Sequence, residues 1–252
     1  MTLLTVQHLY KTYNGKQPFD ALKDINFSIE AGEFVAIMGP SGSGKTTLLN
    51  VLSSIDTISK GDVIIDGEHI SKLNQKALAK FRKESLGFIF QDYSVLPTLT
   101  VKENIMLPLS IHKLSASKME DNYHKVTTAL GIDDLGNKYP SELSGGQQQR
   151  TAAARAFIHQ PKLIFADEPT GALDSKSASD LLLRLKDMNQ HFNTTIIMVT
   201  HDPVAASYAH RVIMLKDGQI HSELHQDERT KQTFYEDIVQ LQTTLGGVVN
   251  DV

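Results

Sequence analysis

The segment Gly39-Pro40-Ser41-Gly42-Ser43-Gly44-Lys45-Thr46 has the form G-x-x-x-x-G-K-[ST], and no other stretch constrains this chain so tightly. The motif needs a buried strand before it and a helix after it. Glu33-Phe34-Val35-Ala36-Ile37-Met38 supplies the mostly apolar run, and Thr47-Leu48-Leu49-Asn50-Val51-Leu52 reads as the helix. Glycine lets the backbone wrap closely around phosphate oxygens. Bare N–H groups and the positive helix end then face the anion. The spacing therefore predicts a phosphate cradle made of Gly39, Pro40, Ser41, Gly42, Ser43, Gly44 and Thr47. Lys45 reaches the β- and γ-phosphates, and the Thr46 hydroxyl ligates Mg²⁺. The plain alternative is a Gly/Ser turn ahead of a helix. Every fixed position matches, and both flanks have the required character, which argues against it.

Further apolar runs follow the same plan. Leu3 to Val6 and Ile25 to Ile29 alternate apolar and polar residues, which suggests half-buried strands. Lys11 to Gly15 reads as a turn with an exposed aromatic, Tyr13. Gly61 to Gly67 looks like a strand between turns, and Gln75 to Glu84 like a solvated basic helix. Gly87 to Phe90, Lys162 to Ala166, Thr194 to Thr200 and Val212 to Leu215 are buried strands by composition. From Asp92 to Phe157 the pattern is mainly helical, so a helical lobe is expected as an insertion. Strands alternating with helices predict an α/β fold: a P-loop NTPase with a parallel sheet core, a small antiparallel β subdomain and that lobe. The expected boundaries are an ATPase domain over 1–225, with the lobe at about 92–157, and a tail over 226–252 that is helical to Leu245 and ended by Gly246-Gly247. Ligands in such sheets sit at the carboxyl ends of strands. The P-loop, Gln91, Asp167-Glu168 and His201 each follow an expected strand.

Asp167 closes the run Leu163 to Ala166, as a Walker B aspartate does, and a carboxylate there suits a Mg²⁺ shell. Glu168 is placed to orient and deprotonate a water. The plain alternative is an acidic helix cap backed by Pro169. Ser144-Gly145-Gly146-Gln147 fits a capping box at a helix start. The two glycines also leave N–H groups bare for a second anion site, but on the residues alone the capping box accounts for the segment.

Leu143-Ser144-Gly145-Gly146-Gln147 resembles the signature motif of ATP-binding cassette (ABC) ATPases. The resemblance runs from about Leu3 to Glu223. It implies that Tyr13 stacks on adenine, that Gln91 is the Q-loop glutamine touching Mg²⁺ or water, and that His201 is the switch histidine on the γ-phosphate. Gly171-Ala172-Leu173-Asp174 resembles the D-loop, with Gly171 where Ser is frequent and Asp174 as the acidic residue that contacts the opposite subunit. The resemblance also implies ATP and Mg²⁺ as ligands, and a head-to-tail homodimer in which Ser144 of one chain meets the P-loop of the other. It further implies a membrane permease that docks near Gln91 and the segment 92–99. The P-loop, Gly87 to Gln91, Thr100 to Asn104 and Ala166 to Asp174 are similar to the mechanotransmission branch, which includes macrolide exporters, lipoprotein-release machines and the cell-division ATPase. Val51 to Asp56 and Asn104 to Leu109 resemble bacitracin-type exporters, with signalling to a sensor kinase through the permease. A nucleotide-gated scaffold is the reading from a different class.

Composition serves mainly to exclude. A net charge of −4 gives no support for a nucleic-acid surface. The absence of cysteine excludes disulfides and thiolate metal sites. No apolar run approaches the roughly 20 residues that span a bilayer. Together with the permease that the resemblance implies, this makes a peripheral protein on the cytoplasmic face of the membrane the expectation. His221 and His225 stand four apart, but a solvated loop or helix face explains them better than a metal. Tyr93, Val95, Leu96 and Leu99 read as core or interface.

Overall fold

Phe34 to Met38 are all fully buried, and around this strand the first of two compact units is built. The computed structural model describes residues 1–15, 17–111 and 114–245. Unit one comprises Met1–Leu78 with the described residues from Ile197 onward, and unit two comprises Ala79–Ile196. The Gly246-Gly247 ending lies outside the described residues.

In unit one, β1 (Thr2–Tyr13) pairs antiparallel with β2 (Phe19–Glu30) and with β4 (Lys60–Ile65), and β5 (Glu68–His69) completes the order β2-β1-β4-β5. Alternation does what the sequence suggested. In β2, Leu22, Ile25, Phe27 and Ile29 are buried, while Asn26, Ser28 and Glu30 face out. Both β1 and β2 are longer than expected, at 12 residues each, and the pairing between them is broken by bulges. At the break between Val6 and Leu9, His8 takes a left-handed φ of 46°, and its N–H donates to Asn26 Oδ1 at 2.8 Å. A side chain thus replaces a lost ladder bond. Lys11 to Tyr13, expected as a turn, belong to β1, and Lys11 is buried. An ion pair makes that burial possible, and composition could not show it.

The second sheet begins with β3 (Phe34–Met38), which pairs parallel with β9 (Arg211–Lys216). β10 (Gln219–His225) returns antiparallel to β9 through Asp217-Gly218, both at positive φ (51° and 79°). Asp-Gly with two positive φ values suits a two-residue hairpin. His221 and His225 therefore lie on a strand, not on a loop or helix. α1 (Lys45–Leu52) buries Leu48, Leu49, Val51 and Leu52. After the short α7 (Pro203–Ala206), α8 (Lys231–Leu245) buries Phe234, Ile238 and Leu245.

In unit two, β6 (Leu86–Ile89) pairs parallel with β7 (Leu163–Asp167). β8 (Thr195–Val199) spans the boundary in sequence, so the order reads β10-β9-β3-β8 in unit one and β8-β7-β6 in unit two. α2 (Gln75–Ser85) buries only Phe81, as a solvated helix should. The expected helical lobe contains α3 (Val101–Met106), α4 (Ala116–Leu130) and α5 (Gly145–Phe157), and α6 (Ser175–Phe192) follows β7. Residues 92–100 form no helix. Among the described residues no helix is long and apolar enough to cross a membrane.

Candidate nucleotide-binding and hydrolysis site

The P-loop follows β3 directly, and its shape is forced by contacts within unit one. A Cβ on Gly39 would lie 2.1 Å from the Leu215 carbonyl oxygen. Gly44 is the N-cap of α1 at φ 101°, and a Cβ there would lie 2.7 Å from the Ala21 carbonyl oxygen. Only glycine fits either position. Gly44 also brings no side-chain cap, so the first N–H groups of α1 stay directed at the loop. Lys45 Nζ folds back and donates to the carbonyls of Gly39 (2.8 Å) and Pro40 (2.9 Å). The Ser43 hydroxyl is buried without a hydrogen-bond partner. Such orphans are rare in native proteins. A helix start with no side-chain cap, an ammonium and a hydroxyl without a hydrogen-bond partner supply donors of the kind a polyphosphate chain requires. Ser41 and Thr46 are exposed, and Thr47 is half-buried.

His201 belongs to the same unit. The Thr200 N–H donates to the Ile37 carbonyl (3.1 Å), so β8 and β3 end together and His201 leaves the sheet at the P-loop end. His201 is exposed, and its carbonyl accepts from Gln242 Nε2 of α8 at 3.2 Å. Asp202 caps α7 through the Val204 N–H. Tyr13, at the end of β1, is 42% exposed.

Unit two carries the carboxylates. Asp167 is the last residue of β7. Glu168 follows with a left-handed φ of 47°, a conformation that costs a non-glycine residue of order 1–3 kcal/mol and clusters at functional sites. The Glu168 carbonyl accepts from the Gly171 N–H at 2.9 Å, closing a tight turn. Gln91 is exposed, two residues beyond β6. A Cβ on Gly171 would lie 2.8 Å from Gln91 Nε2, so the glycine leaves that amide its room. Ser144 is exposed and N-caps α5 in a complete capping box with Gln147. Gly145 is half-buried, and Gly146 packs against Ser177 of α6. Asp174 N-caps α6. The Ser177 hydroxyl, then the N–H groups of Ser177 and Lys176, hold its carboxyl below the ordinary carboxylate range.

Three residues that sequence reasoning missed hold these loops. Gln149, buried in α5, donates through Nε2 to the carbonyls of Phe90 (3.0 Å) and Pro169 (2.5 Å). One amide thus ties the chain beside Gln91 to the chain beside Glu168. Arg155 donates to the Ser94 and Tyr93 carbonyls, at 2.7 and 3.4 Å. Those two residues are both left-handed, at φ 63° for Tyr93 and 49° for Ser94. Asn104, fully buried, accepts from the Leu96 N–H and donates to the carbonyls of Leu96, Leu99 and Thr100. Tyr93, Val95 and Leu99 are half-buried and Leu96 is exposed, so none of the four is core.

The family described as "ABC transporter" matches residues 22–171, more than half of the chain. This chain belongs to the ABC transporter family. Its relatives sharpen the assignment. It is 57% identical over 252 residues, the whole of both chains, to the bacitracin export ATP-binding protein BceA of Halalkalibacterium halodurans. It is 52% identical over 250 residues to the ABC transporter ATP-binding protein YxdL of Bacillus subtilis, covering 99% of this chain and 97% of that one. The solved dimer of the ATP-binding cassette MJ0796 of Methanocaldococcus jannaschii, bound to ADP and Pi, matches at TM-score 0.80 and 38% identity, covering 88% of this chain and 98% of that one. This ABC chain is therefore an ATPase with the cassette fold. The P-loop, Gln91, Ser144, Asp167 and Glu168 fall within the matched family span, whereas Tyr13, Asp174 and His201 lie outside it.

Proposed function

We propose that this chain is the ATP-hydrolysing subunit of an exporter of peptide antibiotics. The carrying observation is end-to-end identity, 57% over all 252 residues, to a bacitracin export ATP-binding protein. By contrast, the macrolide export ATP-binding/permease protein MacB of Psychrobacter cryohalolentis matches at 45% over 219 residues, and this chain covers a third of it. The partner is then a separate permease in the membrane, with this chain docked on the cytoplasmic face and a sensor kinase reached through that permease. Phe88, Phe90, Pro108 and Ile111, together with the basic Arg82, Lys83 and Arg155, line a groove of about 230 Å³ in unit two that offers a docking segment both apolar and cationic surface. Ile111 and Leu107 beside it are exposed.

The chemistry follows from the residues. Glu168 acts as general base on the attacking water. Lys45, the loop N–H groups and Ser43 neutralise and position the β- and γ-phosphates. His201 contacts the γ-phosphate, and Tyr13 stacks on adenine. Ser144, Gly145, Gly146 and Gln147 serve the nucleotide held by a second copy, and Asp174 meets that copy. Thr46, Gln91 and Asp167 are the Mg²⁺ ligands, directly or through water. Among the described residues no group of three or more His, Cys, Asp and Glu is placed to hold a metal. A hydroxyl, an amide oxygen and a carboxylate are each hard oxygen donors of the kind that suits Mg²⁺, which takes most of its remaining ligands from water and substrate phosphate. When bound, Mg²⁺ supplies neutralisation of charge on the β- and γ-oxygens.

The test is antibiotic tolerance in cells that carry the permease. Glu168→Gln should abolish tolerance to bacitracin-like peptides while the chain still co-purifies with membranes. Full tolerance in that variant would sink the pump reading and favour a nucleotide-gated scaffold.

A further inference from the structure

Tyr13 is held by an ion pair between buried Lys11 and half-buried Asp56. Its hydroxyl donates to Asp56 Oδ2 at 2.9 Å. Asp56 Oδ1 accepts from Lys11 Nζ at 2.6 Å, and the same ammonium donates to the Thr57 carbonyl at 2.8 Å. That ammonium also lies 4.8 Å from the centroid of the Tyr13 ring. Lys11 is only 5% exposed. A buried ammonium is tolerated when it is paired and hydrogen-bonded, and Asp56 is the pairing carboxylate. Burial alone would raise the Asp56 pKa. The bonds from Lys11, the Thr57 N–H and Tyr13 outweigh that and hold the carboxyl below its ordinary range. Asp56 is therefore ionised, and it fixes both the cation under the ring and the hydroxyl at its tip.

A cation at one face of an aromatic ring is favourable, and it also claims that face. Tyr13 as a residue remains 42% exposed, which leaves room for a second planar group on the side away from the ammonium. An untethered tyrosine would lose rotamer freedom on binding such a group, whereas a ring held in advance has already lost it. We propose that Asp56, acting with Lys11, is a positioning residue that presents the open face of Tyr13 to the adenine of ATP. This rests on the reading of Tyr13 as the adenine-stacking residue and adds what orients it.

Calorimetric binding of ATP and of inorganic tripolyphosphate, which has no base, tests the proposal on the full chain. The variants are Tyr13→Phe, Asp56→Asn, the pair together, and Tyr13→Ala. Tyr13→Phe keeps the ring at an exposed site and loses only the tether, so it reads out even if Asp56→Asn folds poorly. Each single change at the tether should weaken ATP by about three- to tenfold. The double variant should bind ATP no more weakly than Asp56→Asn alone, because both changes cut one path. Tripolyphosphate affinity should stay at the wild-type value throughout. If Tyr13→Ala weakens ATP while Tyr13→Phe does not, positioning is overturned and stacking stands. If Tyr13→Ala binds ATP like wild type, the stacking reading itself is wrong. If Asp56→Asn weakens tripolyphosphate as much as ATP, Asp56 has only a structural role.

Discussion

The phosphate cradle and the loops that follow β6 and β7 are held in place by different forces. The cradle is set by sterics: Gly39 and Gly44 stand where any Cβ would strike the carbonyls of Leu215 and Ala21. The loops of unit two are set by polar side chains that reach across the sequence to backbone carbonyls. Gln149, Arg155 and Asn104 hold segments that contain left-handed Tyr93, Ser94 and Glu168. A steric cradle is rigid and has one shape. A loop held by a few hydrogen bonds can exchange them at small net cost, since each is worth about 1 kcal/mol. The first arrangement suits holding a substrate, and the second suits a part that moves during turnover.

The comparison breaks most visibly at Gly44. Gly44→Ala puts a Cβ 2.7 Å from a backbone oxygen in a left-handed conformation. The strain, about 3 kcal/mol, should weaken ATP binding by roughly a hundredfold in calorimetry. Wild-type affinity would mean the cradle is not steric after all. Gln149→Leu comes next. It frees the carbonyls of Phe90 and Pro169, and the expected loss is about 2 kcal/mol of stability by urea denaturation. Turnover should fall further than the fraction unfolded explains, because the chain beside both Gln91 and Glu168 loses its tie. A smaller effect is expected at the start of α5. Ser144→Ala removes the capping box and should cost about 1 kcal/mol. A loss of turnover well beyond that would separate a role across a dimer from plain capping.

The cradle was legible in the sequence because residue type at fixed spacing dictates its geometry. Phe34 to Met38 and Leu163 to Ala166 were legible as strands because they are buried on both faces and uniformly apolar. The loops after β6 and β7 were not. Gln147, Gln148 and Gln149 look alike in sequence, and only packing shows that the third is the buried one. The left-handed φ of Glu168 has no signal in its type. Lys11 was misplaced in a turn because its partner Asp56 is 45 residues away. β10 was missed although Asp217-Gly218, a hairpin signal, was there to be read.

The least effect concerns pH. Asp174 has its folded pKa depressed by its capping bonds. Its contribution to stability is then fully present above the unfolded aspartate pKa, near 3.9, and is lost as pH falls through the lower folded value. Acid unfolding of Asp174→Asn should differ from wild type at neutral pH and converge with it at the acid end. A constant gap across the range would contradict the capping account.

The most direct test of the account is turnover in purified Glu168→Gln. Removing a general base while keeping the shape of the side chain should lower ATP hydrolysis by about 10²–10⁴-fold. ATP affinity should persist, because the cradle is untouched, and ATP should then hold two copies together on size-exclusion chromatography. Hydrolysis at the wild-type rate in that variant would contradict the assignment of Glu168 as the base.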